Sequence, residues 1–314
     1  MTMVRENERK NAGDSMRKRR LGTSAFEISE LSLGCMSLPT SVDEARPVIE
    51  AALEHGINYF DTADLYDKGM NEEVVGECLK PYRDQVYIAT KVGNRWNEKG
   101  DGWYWDASKE HIEEGIKESL RRLKTDYIDL YQLHGGTIDD PWDDIIETFE
   151  KLKQEGLIRE YGISSIRPNV FQPFFEQSNG ISNMMQYSIF DRRPEEFFPF
   201  FEEKKVSVVT RGSIAQGLLT NEWKRRVEKI NSYLNYSKEE LVSILEKIEK
   251  EFGSVHSAAI AFNLSQPTVA TIVVGARTKE QLLTNIKAYE EAQTIQDLSF
   301  IQTITKQDIY TVHR

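Results

Sequence analysis

Residues 56–66 read Gly-Ile-Asn-Tyr-Phe-Asp-Thr-Ala-Asp-Leu-Tyr, a short apolar run that passes directly into polar residues. Apolar runs of about four to eight residues bounded by polar turns are typical of buried β-strands. Further runs of this kind occur on both sides of it. The whole set comprises Leu31 to Met36, Ile57 to Phe60, Val86 to Lys91, Tyr127 to His134, Ile158 to Ser164, Ser182 to Tyr187, Val206 to Arg211 and Thr271 to Gly275.

The segments between these runs have a helical period. In one of them Val42, Ala45, Ile49 and Ala52 follow a spacing of three and four, which places a single apolar stripe on a helix. Eight strands that alternate with helices can close into a barrel or form a doubly wound open sheet. An open dinucleotide-binding sheet would carry a Gly-x-Gly-x-x-Gly turn, and the sequence contains none. We therefore predict an α/β fold, a (β/α)₈ TIM barrel in a single domain.

Two regions flank or interrupt this repeat. Residues 1–16 are polar and are predicted to be a loose N-terminal leader, whereas residues 17–314 are assigned to the barrel with a C-terminal tail. The segment Arg20 to Glu30 is predicted to form a hairpin that closes the far end of the barrel. The longest interruption, Gly212 to Ser237, is expected to lie over the mouth of an active site, because long loops in compact domains are more often functional than idle.

Composition excludes several classes of protein. The formal net charge of −11 argues against a nucleic-acid partner, and we interpret the basic cluster Arg17 to Arg20 as a solvated segment. No run of apolar residues is long enough to form a membrane span. With only Cys35 and Cys78, the chain shows no disulfide framework, which fits a reducing cytoplasm. We thus expect a cytoplasmic protein with neither a membrane nor a nucleic acid as partner.

Four polar residues end or follow consecutive predicted strands: Asp61, Tyr66, Lys91 and His134. Barrels place catalysis at the carboxyl ends of their strands. Each residue alone is most often structural, but the combination is much less common. A cation beside a phenol stabilises the phenolate, and a carboxylate can hold that cation, so the phenol can donate a proton. A histidine can then orient a carbonyl group.

Longer motifs extend from this region in both directions. Residues 56–66 are followed by Asn71-Glu72-Glu73-Val74-Val75-Gly76. Further motifs are Ile88-Ala89-Thr90-Lys91, Asp126-Tyr127-Ile128-Asp129-Leu130-Tyr131-Gln132-Leu133-His134, Gly162-Ile163-Ser164, Gln216-Gly217-Leu218-Leu219 and Gly275-Ala276-Arg277. In this order the chain resembles the aldo-keto reductase superfamily from about Leu21 to Asn285, most closely its bacterial branch. The resemblance implies an NADPH-dependent reductase of aldehydes or ketones without a metal, with Asp61, Tyr66, Lys91 and His134 as its catalytic tetrad.

The same resemblance implies a set of cofactor-binding residues. Those at the nicotinamide would be Ser164, Gln186 and Arg211. Those along the pyrophosphate would be Gly212, Ile214, Gln216 and Gly217. Those around the adenosine and its 2′-phosphate would be Gly275, Arg277, Gln281 and Asn285. Thr278 is predicted to cap the helix that follows, whose free N–H groups favour a phosphate.

The chain departs from the family pattern near the predicted active site. His134 is followed by Gly135 and Gly136 where most relatives have a bulky residue and proline, which predicts a smaller substrate wall. Ser165 replaces a common asparagine, and Arg211 stands where many relatives have an aromatic residue that stacks on the nicotinamide. Aromatic residues 96 and 103–105 are predicted to form an aromatic substrate wall.

Two other functions fit parts of the pattern. A regulatory subunit would bind NADPH and a protein partner but turn over slowly, and the retained tetrad argues against it. A phosphate-handling barrel isomerase would not bind NADPH at all. We therefore expect a small-molecule carbonyl substrate as the partner, whereas the residues leave the oligomeric state open.

Overall fold

Eight parallel strands form a closed barrel in the computed structural model, which describes residues 16–314. The strands, which we number in chain order, are β1 Leu31–Gly34, β2 Tyr59–Asp61, β3 Tyr87–Val92, β4 Ile128–His134, β5 Ile158–Ser164, β6 Ser182–Gln186, β7 Ser207–Arg211 and β8 Val269–Gly275. Each strand pairs with the next along the chain, and β8 pairs with β1. The predicted barrel is confirmed.

Helices occupy the outside of the barrel. They are α1 Val42–Glu54, α2 Met70–Leu79, α3 Lys109–Leu123, α4 Trp142–Gln154, α5 Pro168–Gln177, α6 Phe198–Lys204, α7 Trp223–Val227, α8 Lys238–Phe252, α9 Val255–Leu264, α10 Lys279–Ala292 and α11 Ser299–Ile304. In α3, Ile112, Ile116 and Leu123 are buried, and the Ser108 side chain caps the first turn. One apolar stripe and a polar cap thus define this helix. Among the described residues, no helix is both long and apolar enough to cross a membrane.

The core has two parts, one between strands and helices and one inside the barrel. The inner part consists of Leu21, Ile28, Tyr59, Ala89, Leu130, Ile181, Met184, Val209 and Ala270. Because side chains alternate along a strand, residues two positions further on point into the same lumen, nearer its carboxyl end. The polar residues at those positions are Asp61, Lys91, Gln132, Gln186 and Arg211.

A hairpin closes the amino end of the barrel, as predicted, although its first strand begins two residues before the predicted segment Arg20 to Glu30. Its strands, Lys18–Arg20 and Glu27–Ser29, pair antiparallel, and its apolar side chains Leu21 and Ile28 belong to the inner core. The interpretation of the basic cluster as solvated is wrong for Arg19. Its guanidinium pairs with Glu30 at 2.7 Å and donates to the backbone oxygens of Leu264 and Val269, each at 2.8 Å.

The predicted leader lies outside the described residues except for its last member. Met16 is buried in the core between strands and helices, so it belongs to the barrel rather than to a loose segment. The division of the chain at residue 17 otherwise stays a prediction.

The long segment after β7, Gly212 to Ser237, lies only partly over the mouth of the barrel, where it was predicted. Its first residues, Gly212, Ser213, Ile214 and Gln216, line the large cavity at the carboxyl end of the strands. The remainder contains α7 and a short β-ribbon, and Trp223 is buried with its indole N–H donating to Glu249 of α8. This part of the segment is therefore anchored to an outer helix and is not a cover of the mouth.

Candidate active site

A buried ion pair forms the centre of the site. Lys91 is fully buried, and its Nζ donates to Asp61 Oδ2 at 2.7 Å and to the Thr62 carbonyl oxygen at 2.7 Å. The same Nζ lies 3.3 Å from the Tyr66 hydroxyl oxygen. Burial disfavours the ammonium, but the nearby Asp61 carboxylate outweighs it and raises the pKa of Lys91. Lys91 therefore stays charged beside the phenol.

His134 faces Tyr66 across the opening. The two rings meet edge to face with centroids 6.1 Å apart, and the His134 backbone oxygen accepts from Asn94 Nδ2 at 3.2 Å. Burial, followed by the positive charges of Lys91 and Arg211, lowers the pKa of His134 to about 3. Its imidazole is therefore neutral around pH 7 and can donate one hydrogen bond. The structure thus brings together all four residues of the predicted tetrad.

The depressed pKa of His134 predicts a contribution to acid instability. An unfolded histidine titrates near 6.5, so below that pH the unfolded chain binds this proton more readily than the folded chain. Stability is then lost as the pH falls from about 6.5 toward 3. Because of His134, the free energy of unfolding should fall by about 1.4 kcal/mol between about pH 7.5 and about pH 5.5, as measured by unfolding in urea.

The test compares two variants that each remove one histidine. His134→Gln should lose about 1.4 kcal/mol less than the wild type over that pH interval. His313→Gln, which changes an exposed residue in the tail, should lose as much as the wild type. Equal pH dependence in the two variants would contradict burial of an uncharged His134.

Gln132 lies behind the ion pair and was not singled out from the sequence. It is fully buried on β4, two residues before His134. Burial raises the pKa of the Asp61 carboxyl, and the Lys91 ammonium and, more weakly, the nearby Gln132 amide act to lower it. Among the described residues, Asp61 Oδ1 and both polar atoms of the Gln132 amide are buried without a hydrogen-bond partner. Its position two residues before a predicted catalytic histidine could have indicated that it points into the lumen.

A cavity of about 750 Å³ opens above these residues. Asp61, Tyr66 and His134 lie on its wall, with Trp103 and Trp105 on one side. The two tryptophans belong to the second strand of an antiparallel hairpin, Asn94–Trp96 with Trp103–Trp105, which we call the aromatic hairpin. The structure thus places these two tryptophans at the cavity, whereas Trp96 and Tyr104 are absent from its wall.

Gly135 makes room for this hairpin, and Gly136 makes room for Trp142 of α4. Both have positive φ, 97° and 99°. A Cβ on Gly135 would lie only 2.9 Å from Trp105 Nε1, and one on Gly136 would lie 3.1 Å from Trp142 Cη2. The expectation of a smaller wall is therefore corrected, because the Trp105 indole occupies the space beside Gly135.

Most of the residues predicted for the nicotinamide and pyrophosphate line the same cavity. They are Ser164, Gln186, Arg211, Gly212, Ile214 and Gln216; Gly217 is buried just beyond them. Among the described residues, no carboxylate pairs with Arg211. The Ser165 backbone is held by Asn183, whose Oδ1 accepts from the Ser165 N–H at 3.3 Å and whose Nδ2 donates to its carbonyl at 3.1 Å.

The residues predicted for the adenosine form a turn at the start of α10. Thr278 caps the helix by accepting from the Gln281 N–H, as predicted. Gln281 Oε1 accepts from the Arg277 N–H at 2.8 Å, and the Asn285 Nδ2 donates to the Gly275 carbonyl at 3.4 Å. The cavity wall includes Gly275 but not the exposed Arg277, Gln281 or the buried Asn285.

The cavity also contains polar residues that sequence reasoning missed. Asn94 and Arg167 line it, and Arg167 stacks on Trp105. Arg167 follows Ser164 by three residues, and this place after a strand end was the available signal. Within residues 16–314, no cluster of three His, Cys, Asp or Glu side chains could hold a metal ion.

The family model, a curated relative and a solved structure all point to the same protein family. The model of the Aldo/keto reductase family matches residues 21–306. The chain is 52% identical to the uncharacterized oxidoreductase YqkF of Bacillus subtilis over 305 residues, which cover 95% of this chain and 100% of the relative. It is similar to the holo form of aldo-keto reductase AKR11C1 from Bacillus halodurans, with 50% identity, a TM-score of 0.88 and coverage of 95% of this chain and 99% of that chain.

A more distant solved structure extends the comparison. The glycerol dehydrogenase AKR11B4 from Gluconobacter oxydans is 26% identical with a TM-score of 0.77, and the match covers 92% of this chain and 93% of that chain. The family model alone spans most of the 314 residues. The chain is an oxidoreductase and belongs to the aldo/keto reductase family.

Proposed function

We propose that this protein reduces an aldehyde or ketone with NADPH and that Tyr66 gives the proton to the carbonyl oxygen. The observation that carries the proposal is the buried Lys91 ammonium, which lies between the Asp61 carboxylate at 2.7 Å and the Tyr66 hydroxyl at 3.3 Å. A reducing cytoplasm remains the predicted location, and Cys35 and Cys78 are buried and unpaired.

The residues along the cavity fit a nicotinamide dinucleotide. Arg211 and Arg277 are exposed cations without an ion-pair partner in the described chain, although the protein is acidic overall. A Cβ on Gly212 would lie 3.5 Å from Gln186 Cγ and 3.6 Å from its Nε2, in the space beside the amide. The capped start of α10 offers free N–H groups near Arg277. We propose that these groups hold NADPH across the mouth of the barrel.

A bound nicotinamide cofactor supplies the hydride for such a reduction. The residues of the chain then act on the carbonyl oxygen. Tyr66 donates its hydroxyl proton to that oxygen as negative charge develops, and Lys91 stabilises the phenolate that remains. Asp61 holds Lys91 in place, while the neutral imidazole of His134 donates a hydrogen bond that orients the carbonyl.

The decisive experiment is a steady-state assay of NADPH oxidation with a panel of aldehydes and ketones. We expect turnover with several of them. Binding of NADPH, seen by fluorescence quenching, without turnover of any carbonyl would support the regulatory subunit instead. Absence of any quenching would favour an isomerase without a redox cofactor.

We propose that Arg277 binds the 2′-phosphate that distinguishes NADPH from NADH. A protein of net charge −11 should repel the more negative cofactor unless a local cation intervenes. Hydrogen bonds to charged groups contribute about 1.5 to 3 kcal/mol, or roughly 10- to 150-fold in affinity. Arg277→Ala should weaken NADPH binding by about that factor and leave NADH binding almost unchanged in fluorescence titrations.

A charge-matched variant controls for the net charge of the protein. Lys287 lies on the same helix, where it is exposed and pairs with Glu291 at 3.8 Å. Lys287→Ala should leave both affinities unchanged. Equal losses of NADPH and NADH in Arg277→Ala would show that Arg277 supports the turn rather than the phosphate.

A further inference from the structure

We infer that the cavity selects carbonyl substrates that carry a carboxylate, and that Arg167 stacked on Trp105 recognises that group. This inference rests on the proposed function and adds a substrate class to it. Arg167 and Trp105 line the same cavity as Tyr66 and His134. The recognised group would therefore bind on the wall of the reaction site itself.

Arg167 is held in a defined orientation at this wall. It lies directly before α5, with the guanidinium carbon 4.3 Å from the centre of the Trp105 ring. Its Nη1 donates to the Gly136 carbonyl oxygen at 3.1 Å. A guanidinium carries five N–H donors, so stacking and one hydrogen bond leave further donors for a ligand. The side chain is half-buried, which makes it both ordered and accessible.

The charge of Arg167 is not neutralised within the described chain. Most of the other half-buried or buried arginines have carboxylate partners, such as Arg83 with Asp129 and Arg122 with Glu72, each at 2.7 Å. No described carboxylate pairs with Arg167, and the only acidic residue on the cavity wall is Asp61, which is already bound to Lys91. A planar cation left without a partner at a cavity is well suited to bind a carboxylate through two parallel hydrogen bonds.

Arg211, the second arginine of the cavity, is assigned to the cofactor. It ends β7 in register with Gln186 and directly precedes Gly212, among the residues proposed for the nicotinamide and pyrophosphate. Arg167 instead contacts Gly136 and Trp105, on the side that follows His134. The two cations thus serve different ligands.

The rest of this cavity wall indicates which kind of spacer joins the carboxylate and the carbonyl group in the substrate. The Trp103 and Trp105 rings lie 6.0 Å apart, are 50% and 39% exposed, and leave apolar surface open to a ligand. Leu65 and Met36 add further apolar lining. An aromatic or extended apolar spacer between carbonyl and carboxylate matches this surface.

The test uses 4-formylbenzoate and its methyl ester, which differ in the charge of the group opposite the aldehyde. For each substrate, kcat/KM of Arg167→Gln is divided by that of the wild type, so that differences in intrinsic reactivity cancel. We expect a loss of roughly 10- to 150-fold for formylbenzoate, as for one or two charge-assisted hydrogen bonds, and less than about threefold for the ester. Arg167→Lys should recover part of the loss, because it retains the charge without the planar fork.

The control removes the same charge from a similar pair at the other end of the barrel. Arg159 stacks on Tyr127, with its guanidinium carbon also 4.3 Å from the ring centre. Arg159→Gln should leave both kcat/KM values unchanged. The NADPH dissociation constant of Arg167→Gln should equal that of the wild type.

The possible failures are distinguishable. Equal losses in kcat/KM for both substrates would show that Arg167 only supports Gly136 and Trp105. Weaker NADPH binding by Arg167→Gln would assign Arg167 to the cofactor. Either result overturns the inference and leaves the proposed carbonyl reduction intact. Wild-type protein that reduces no member of the wider carbonyl panel would overturn the proposed function, and this inference with it.

Discussion

Replacing Tyr66 by phenylalanine is expected to reduce kcat for carbonyl reduction by about 10²- to 10⁴-fold, the usual contribution of general acid catalysis. The change removes one hydroxyl, which lies 3.3 Å from Lys91 Nζ, and little else. NADPH affinity should stay nearly the same, because the aromatic ring that lines the cavity is retained. Steady-state kinetics and fluorescence titration measure the two quantities.

The result is interpretable only if the chemical step limits the rate. A primary isotope effect with NADPH deuterated at C4 checks this for both wild type and variant. Tyr127→Phe, which removes a hydroxyl just before β4 at the amino end of the barrel, should keep the wild-type kcat. A Tyr66→Phe variant with wild-type kcat and a full isotope effect would rule out Tyr66 as the acid.

Replacing Lys91 by methionine should abolish most activity and also destabilise the fold. The substitution leaves the buried Asp61 carboxylate without its partner at 2.7 Å. Removing one member of a buried ion pair costs about 3 to 5 kcal/mol, because the other charge stays buried. Urea unfolding at neutral pH measures this loss. The deficit should shrink as the pH falls, since protonation removes the unpaired charge of Asp61.

A double variant separates catalysis from stability. In Asp61→Asn/Lys91→Met no buried charge is left unpaired, so most of the lost stability should return while activity stays low. Recovery of activity in the double variant would contradict a role for Lys91 in proton donation. Equal stability of the single and double variants would show that Asp61 is already protonated, and so uncharged, in the Lys91→Met variant.

The spacing of the apolar runs, together with the absence of a Gly-x-Gly-x-x-Gly turn, was enough to predict the barrel and the meeting of the four tetrad residues at its mouth. Apolar runs mark the strands, and a strand has only two faces, so Asp61 and Lys91 must share the lumen with Tyr59 and Ala89. Thr278 could likewise be predicted as a cap, because its hydroxyl bonds to a backbone N–H only three residues away. These features depend on local spacing.

Contacts between distant parts of the chain could not be predicted in this way. Arg19 reaches the backbone at Leu264 and Val269, about 250 residues away, and nothing in its own neighbourhood indicates those acceptors. The Trp105 indole beside Gly135 depends on how the aromatic hairpin folds over β4. The sequence therefore suggested an open space after His134, whereas a side chain from another segment fills it.

The origin of that side chain has a consequence for how the enzyme can diversify. His134 ends a strand of the barrel, but the indole next to it comes from a surface hairpin whose residues 97–102 connect its two strands. Insertions, deletions or exchanges in this connection need not shift the four tetrad residues, which lie on or just after β2, β3 and β4. A library confined to the aromatic hairpin can therefore explore new carbonyl compounds, while the residues that we propose for proton donation stay unchanged.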